Sequence, residues 1–241
     1  SAGTSGSFTI VTGKATHGKS GEINMQVGSG THNQAGRVIM NAGESTQNSV
    51  EGGRIVITSG LSSSSTGAEG GHLKVTSGVG AGSTGGQIRL HAGVGTSTSS
   101  GALIVHTINA GTAGVSGNLL FQSGTASGGS SGRISLKTGA ATEGKGGLIN
   151  IGVGAGDKFA GGNIAFVAGI SSTNTGGFVS LETGSGLPST SGLIVLKSRN
   201  AGTSGTSGAL QFISGTTSGG ASGSLKFITG AATAGESGNI E

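Results

Sequence analysis

Residues 117–131 read GNLLFQSGTASGGSS, and residues 132–146 read GRISLKTGAATEGKG. Aligned on their first glycine, both stretches carry a large apolar residue at positions 3 and 5 (Leu119 and Phe121; Ile134 and Leu136), a small residue at position 7 and a second glycine at position 8. Alternation over positions 3, 5 and 7 has the period of two that belongs to an extended strand with one buried face. An amphipathic helix would place apolar residues at i, i+3, i+4 and i+7, and neither stretch does so.

The same frame runs along the chain. Its opening glycines are Gly6, Gly21, Gly36, Gly53, Gly71, Gly86, Gly101, Gly117, Gly132, Gly147, Gly162, Gly177, Gly192, Gly208, Gly223 and Gly238. Most spacings are 15; repeats three and four have 17 and 18, and repeats seven and thirteen have 16. Position 3 is Phe, Ile, Val or Leu throughout, position 5 is Ile, Met, Val, Leu or Phe, and position 7 is Thr, Ser, Ala or Val. Position 8 is Gly in thirteen of fifteen repeats, with Ile108 and Arg199 in the other two, and position 10 is small throughout. Glycine accepts positive φ without a steric penalty, so position 8 is expected to turn the chain. Position 10 is expected to point inward, opposite the large aliphatics.

These patterns predict an all-β fold: a single continuous β-solenoid (parallel β-helix) over residues 1–241, of about fifteen 15-residue coils, with longer coils at 36–70, 101–116 and 192–207. At about 4.8 Å per rung the rod would be roughly 70 Å long. One coil buries too little to stand alone, so neighbours must supply packing on both sides. A charged residue in column 3 or 5 is then expected to destabilise three coils at once.

Composition agrees with a repeat and excludes several classes. Of 241 residues 55 are Gly, only 9% are charged, and Pro188 is the one proline. Collagen needs glycine at every third residue and abundant proline. The absence of Cys rules out disulfides and thiolate metal sites. The net charge of +4 is small and scattered, with no interleaved aromatics, so no nucleic-acid partner is expected. No apolar run approaches the ~18 residues of a spanning helix, so membrane insertion is not expected either.

A longer repeat lies above the coil. Residues 101–147 and 192–238 align without gaps over three repeats at a spacing of 91, with roughly half the positions identical, including NAGT, SGT and TGAAT. Residues 1–6, SAGTSG, are similar to the turn NAGTSG at 200–205, and residues 238–241, GNIE, open another strand. Both ends are therefore expected to be uncapped strand edges, which invite further stacking.

No catalytic, cofactor or metal site is expected. GKATHGKS at 13–20 matches the spacing of a phosphate-binding loop, but the frame makes its following segment a strand rather than the helix such a loop requires. His17 and His32 share position 12 of adjacent repeats, and His91 and His106 share position 6, yet a zinc site needs three or four ligands. Asp157 is the only aspartate, which leaves carboxylate-pair and Ser-His-Asp chemistry poorly supplied. Glu44, Glu51 and Glu69, in the two long loops, are the one place where a grafted acidic site would fit.

The outward positions fall into two faces. Positions 2, 4 and 6 hold much of the charge, including Glu22, Arg37, Arg54, Arg89, Lys137 and Lys197. Positions 9 and 11 are small and rich in hydroxyls, although Lys14, Glu44, Asp157 and Leu187 interrupt them. The candidate surface-binding residues are Thr16, Thr31, Thr46, Thr96, Ser127, Thr142, Ser172, Ser218 and Thr233.

The whole chain resembles, in architecture, the class of short-coil, Gly/Ser/Thr-rich β-solenoids, which includes extracellular fibre and adhesin stalks and ice-binding proteins. The resemblance implies a structural filament, fibre or adhesive-stalk protein, extracellular or at a cell surface, built by end-to-end continuation of coils. Self-association, end to end and lateral, is the expected partnership, with an acidic polysaccharide as a further partner. The alternative is an ice-binding protein using the flat Thr/Ser/Ala/Val face.

Overall fold

A computed structural model describes residues 5–32, 34–64, 66–186 and 190–241; residues 1–4, Leu187 and Pro188, used in the sequence reading, lie outside these. The chain falls into two units, Ser1–Leu120 and Phe121–Glu241. Both are built from the same alternation of an extended segment (positions 1 to 7) and a closed loop (position 8 to the next position 1).

Loop closure is the recurring structural event. A Cβ placed on any of the fifteen opening glycines from Gly21 to Gly238 would lie within 4 Å of the position-7 side chain of the preceding repeat. Gly147 would meet Thr138 Cβ at 3.1 Å, Gly36 would meet Val27 Cγ1 at 2.6 Å, and Gly192 would meet Thr183 Cβ at 3.1 Å. This close approach explains two columns together. At nine of the junctions a Cβ at position 1 would come closer than 3.4 Å to the neck, and at Gly101, Gly117, Gly132, Gly208, Gly223 and Gly238 it would make ordinary contact, so the approach favours glycine at position 1 and a small residue at position 7 most strongly in those nine.

Backbone hydrogen bonds tighten six of the necks. The position-1 N–H donates to the position-8 carbonyl from Gly53 to Gly43 (2.9 Å), Gly71 to Gly60 (2.8 Å) and Gly86 to Gly78 (2.9 Å). It does the same from Gly101 to Gly93 (2.9 Å), Gly177 to Gly169 (2.8 Å) and Gly192 to Gly184 (3.0 Å). Inside the loops, position 10 is held against the returning chain. A Cβ on Gly80 would lie 2.5 Å from the Thr84 carbonyl oxygen, one on Gly156 2.5 Å from that of Phe159, and one on Gly95 would strike that of Ser99. Two of the position-10 hydroxyls bind the loop backbone: the Asn174 N–H donates to Ser171 Oγ at 2.9 Å, and the Gly219 N–H to Thr217 Oγ1 at 3.4 Å.

Positions 7 and 10 supply all the half-buried residues among those described, for instance Ser59, Ser77, Ser123, Ala168, Ser214 and Thr229 at position 7 and Ser45, Ser62 and Gly95 at position 10. The small wall inferred from sequence is thus a set of loop necks. The turn is not at position 8: among the described residues positive φ occurs only at Ser49 (65°), Gly67 (67°) and Gly235 (140°), all within loops.

The β-solenoid expectation is overturned. Among the described residues there is no helix and no β-strand, and none is fully buried. The chain is neither a parallel β-helix nor another all-β fold; it is a coil-rich chain of closed loops. The accessible surface is 24260 Å², about two and a half times the roughly 9,500 Å² expected for a compact 22.7 kDa chain. The reason lies in the competition for the position-1 N–H. In a solenoid it would bond a neighbouring coil; here, in six repeats, it closes its own loop, and the shorter closure costs less chain entropy. Two large apolar residues per repeat, left mostly exposed, offer little against that local solution.

Closure predicts opposite outcomes for two glycines of one loop. Gly95→Ala places a methyl group against the Ser99 carbonyl, so the Gly101 amide should lose its bond to Gly93. The loss of about 1 kcal/mol should speed Gly101 amide exchange by roughly fivefold. Gly93 has open space around it, so Gly93→Ala should leave that exchange unchanged when both are followed by NMR.

Candidate functional site

The extended segments present two distinct faces. Gln87 and Arg89, at positions 2 and 4, share a side: Gln87 Oε1 accepts from Arg89 Nε (2.9 Å) and Nη2 (2.7 Å). Ser180 and Glu182, at positions 4 and 6, do the same, with Ser180 Oγ donating to Glu182 Oε1 at 3.2 Å. These i, i+2 contacts require extended backbone, and they leave positions 3 and 5 on the other side.

That other side is apolar and open. The least exposed residue of columns 3 and 5 is Ile149, at 45%, and Leu136 is 72% exposed. Local shielding is limited to contacts such as that of Phe212 with Phe227, both at position 5, whose rings meet edge to face with centroids 6.3 Å apart. A repeating band of Leu, Ile, Val, Met and Phe therefore faces solvent in every repeat. Soluble monomers rarely expose contiguous apolar patches larger than a few hundred Å², so this band is the candidate functional surface.

The nine hydroxyl residues of position 11 are all exposed. Thr16, Thr31, Thr96, Ser127, Thr142, Ser172, Ser218 and Thr233 each open a bend, and Thr46 precedes the bend and turn at 47–49. They lie at equivalent points of successive loops, with no strand beneath them among the described residues.

The titratable candidates do not converge. Among the described residues no three metal-ligating side chains gather. His32 Nδ1 lies 3.1 Å from Thr31 Oγ1. Glu69 Oε2 lies 3.7 Å from His72 Nε2, both side chains being exposed, while Glu44 and Glu51 stand exposed in the other long loop. No helix follows the 13–20 segment; it bends at 16–18 and continues extended.

Two open notches were not anticipated. One, of about 420 Å³, is lined by Lys197, Ser198, Arg199 and Asn200; the other, of about 180 Å³, is lined by His106, Thr107, Ile108 and Asn109. They occupy positions 6 to 9 of repeats seven and thirteen, the two repeats without glycine at position 8. That double exception, together with their equivalence across the 91-residue duplication, was the available signal.

No known protein family, curated protein or solved structure matches the chain. Among the described residues no helix is long and apolar enough to cross a membrane.

An open apolar band without a core should bind a hydrophobic dye such as anilinonaphthalene sulfonate strongly, even at high dilution. Replacing one repeat's pair, Ile134→Ser with Leu136→Ser, should lower the fluorescence only by that repeat's share. A collapse of the signal, or a large change in the exchange of other loops, would instead indicate a cooperative core.

Proposed function

We propose that the protein is a structural, non-catalytic fibre or adhesive-stalk component of extracellular or cell-surface material, and that it works by associating with copies of itself. The observation that carries this reading is the exposure of columns 3 and 5 in every repeat. Apolar surface of this extent is removed from water by association, and the band repeats at a near-constant interval, so an identical copy is a matched partner. The unpaired backbone of the extended segments adds to the tendency, because N–H and C=O groups without partners accept another chain.

The loops suit the same role. They are rich in small and hydroxyl residues, so they can pack closely between chains, with their charges kept at exposed positions because burying an unpaired charge is costly. Ice binding draws on the same hydroxyl column, but a flat lattice of hydroxyls needs a sheet beneath it, and none is present among the described residues. Thermal hysteresis in dilute solution is the measurement that would favour it.

Electron microscopy and light scattering of the untagged chain should show filaments or rods that grow with concentration. A strictly monodisperse monomer at high concentration would overturn the proposal. Leu136→Lys separates association from intrachain stability. Leu136 is 72% exposed and has little intrachain burial to lose, so neighbouring loop amides should keep their exchange rates. An interchain contact worth about 1.5–3 kcal/mol for a buried leucine would be forfeited, raising the concentration at onset of assembly by roughly tenfold or more.

A further inference from the structure

We infer that neighbouring copies lie parallel and shifted by 91 residues, so that residues 71–147 of one chain face residues 162–238 of the next. This rests on the self-association reading and adds to it the partner segment and the register.

The first support is spacing. From Gly71 the repeats run 15, 15, 16, 15, 15 residues, and from Gly162 they run 15, 15, 16, 15, 15. A shift of 91 therefore keeps columns 3 and 5 aligned over five consecutive repeats. It also brings the 16-residue repeats seven and thirteen together, and with them the notch at 106–109 and the notch at 197–200. The long loops of repeats three and four break the register before Gly71, which confines the match to this stretch.

The second support is charge. In unshifted parallel pairing every charged residue would face its own copy, and like charges directly opposite are destabilising. The 91-residue shift removes all of these clashes over the five repeats. Lys74, Arg89, Arg133 and Lys137 come opposite Ala165, Ser180, Ser224 and Ile228. In the same segment Glu143 comes opposite Ala234; from the other segment, Arg199 and Lys226 come opposite Ile108 and Ser135, and Lys197 opposite His106. One position becomes complementary, Lys145 meeting Glu236, while His91 comes opposite Glu182.

The third support is the amount of surface available. A standard interface needs only about 800 Å² from each partner, whereas the chain exposes more than ten thousand Å² beyond a compact protein of its mass, by the same rough scaling. Each chain carries one copy of each segment. Pairing the first segment of one chain with the second of the next is heterologous, so it does not close on a pair and propagates as a filament.

The chain has no cysteine, so single introduced thiols report the register cleanly. Ser131 and Ser222 are exposed and come opposite each other under the shift. Residues in direct contact across such an interface can bring their Cα atoms within the 4.4–6.8 Å that a disulfide spans. Filaments of full-length Ser131→Cys alone, or of Ser222→Cys alone, should yield single chains on a non-reducing gel after mild oxidation. Filaments co-assembled from both should yield disulfide-linked dimers. Self-crosslinking of each variant alone, or filaments without crosslinks in the mixture, would overturn the shifted register and leave the fibre proposal standing. The absence of filaments in the unsubstituted protein would remove both. A second readout is charge exchange: Lys145→Glu and Glu236→Lys should each delay assembly, and a chain carrying both should recover. Recovery is expected only if position 145 of one chain faces position 236 of another; failure to recover counts against the register.

Discussion

Each loop in this molecule depends on one close approach, that of an opening glycine to the small side chain at position 7 of the preceding repeat. The contact occurs at all fifteen junctions from Gly21 to Gly238. It favours glycine at position 1 and a small residue at position 7, most strongly at the nine junctions with a contact under 3.4 Å, and in six repeats the position-1 N–H also donates to the position-8 carbonyl. Inside the neck it leaves room at position 10 for a hydrogen atom or a small side chain that can bond the backbone. The strictest features of the repeat are therefore steric requirements of a short closed loop.

A loop closed in this way satisfies some of its own backbone, but it gives columns 3 and 5 nothing to pack against. The large residues lie between the necks, and contacts among them, such as that of Phe212 with Phe227, leave every one of columns 3 and 5 exposed. Van der Waals contact and water exclusion require partner atoms on the far side, and an isolated chain does not provide them. Hence the exposure of Ile134, Leu136 and their equivalents follows from the geometry that makes the loops regular. Arg89 with Gln87 and Ser180 with Glu182 show that the polar face can organise itself locally; the apolar face needs another surface.

The repeat frame, its period and the alternation of faces were legible in the sequence, because period-two patterning over residues such as Leu119, Phe121 and Ser123 reports local backbone geometry directly. The tertiary step was not. Patterning identifies which side chains prefer to be buried but does not say what buries them, and the solenoid expectation assigned that task to the adjacent coil. The role of glycine was misplaced for a related reason. Position 8 was assigned a positive φ from composition, whereas the steric demand falls on position 1 and position 10, where neighbours such as Val27 and the Ser99 carbonyl approach. Such contacts depend on the path of the returning chain, which composition does not encode. Of the candidate hydroxyl column, the common placement was legible as a constant offset from each opening glycine; its location at loop bends was not.

The duplication within the chain bears on how the apolar face is covered. Its two copies keep the aliphatic columns, the neck glycines and loop segments such as TGAAT, while the charged residues differ between them. Divergence alone would scatter charges without regard to sign or place. Here Arg133 stands where the other copy has Ser224, Lys226 where it has Ser135, and Lys145 where it has Glu236. Residues that serve the single loop, such as the neck pair Thr138 and Gly147 and its counterpart Thr229 and Gly238, are held in common. Those free to vary within one chain do so in a pattern that lets one copy lie against the other without like charges meeting. A constraint internal to the chain would act on both copies alike, and the charged positions, which differ between the copies, are those on which the proposed contact between chains would draw.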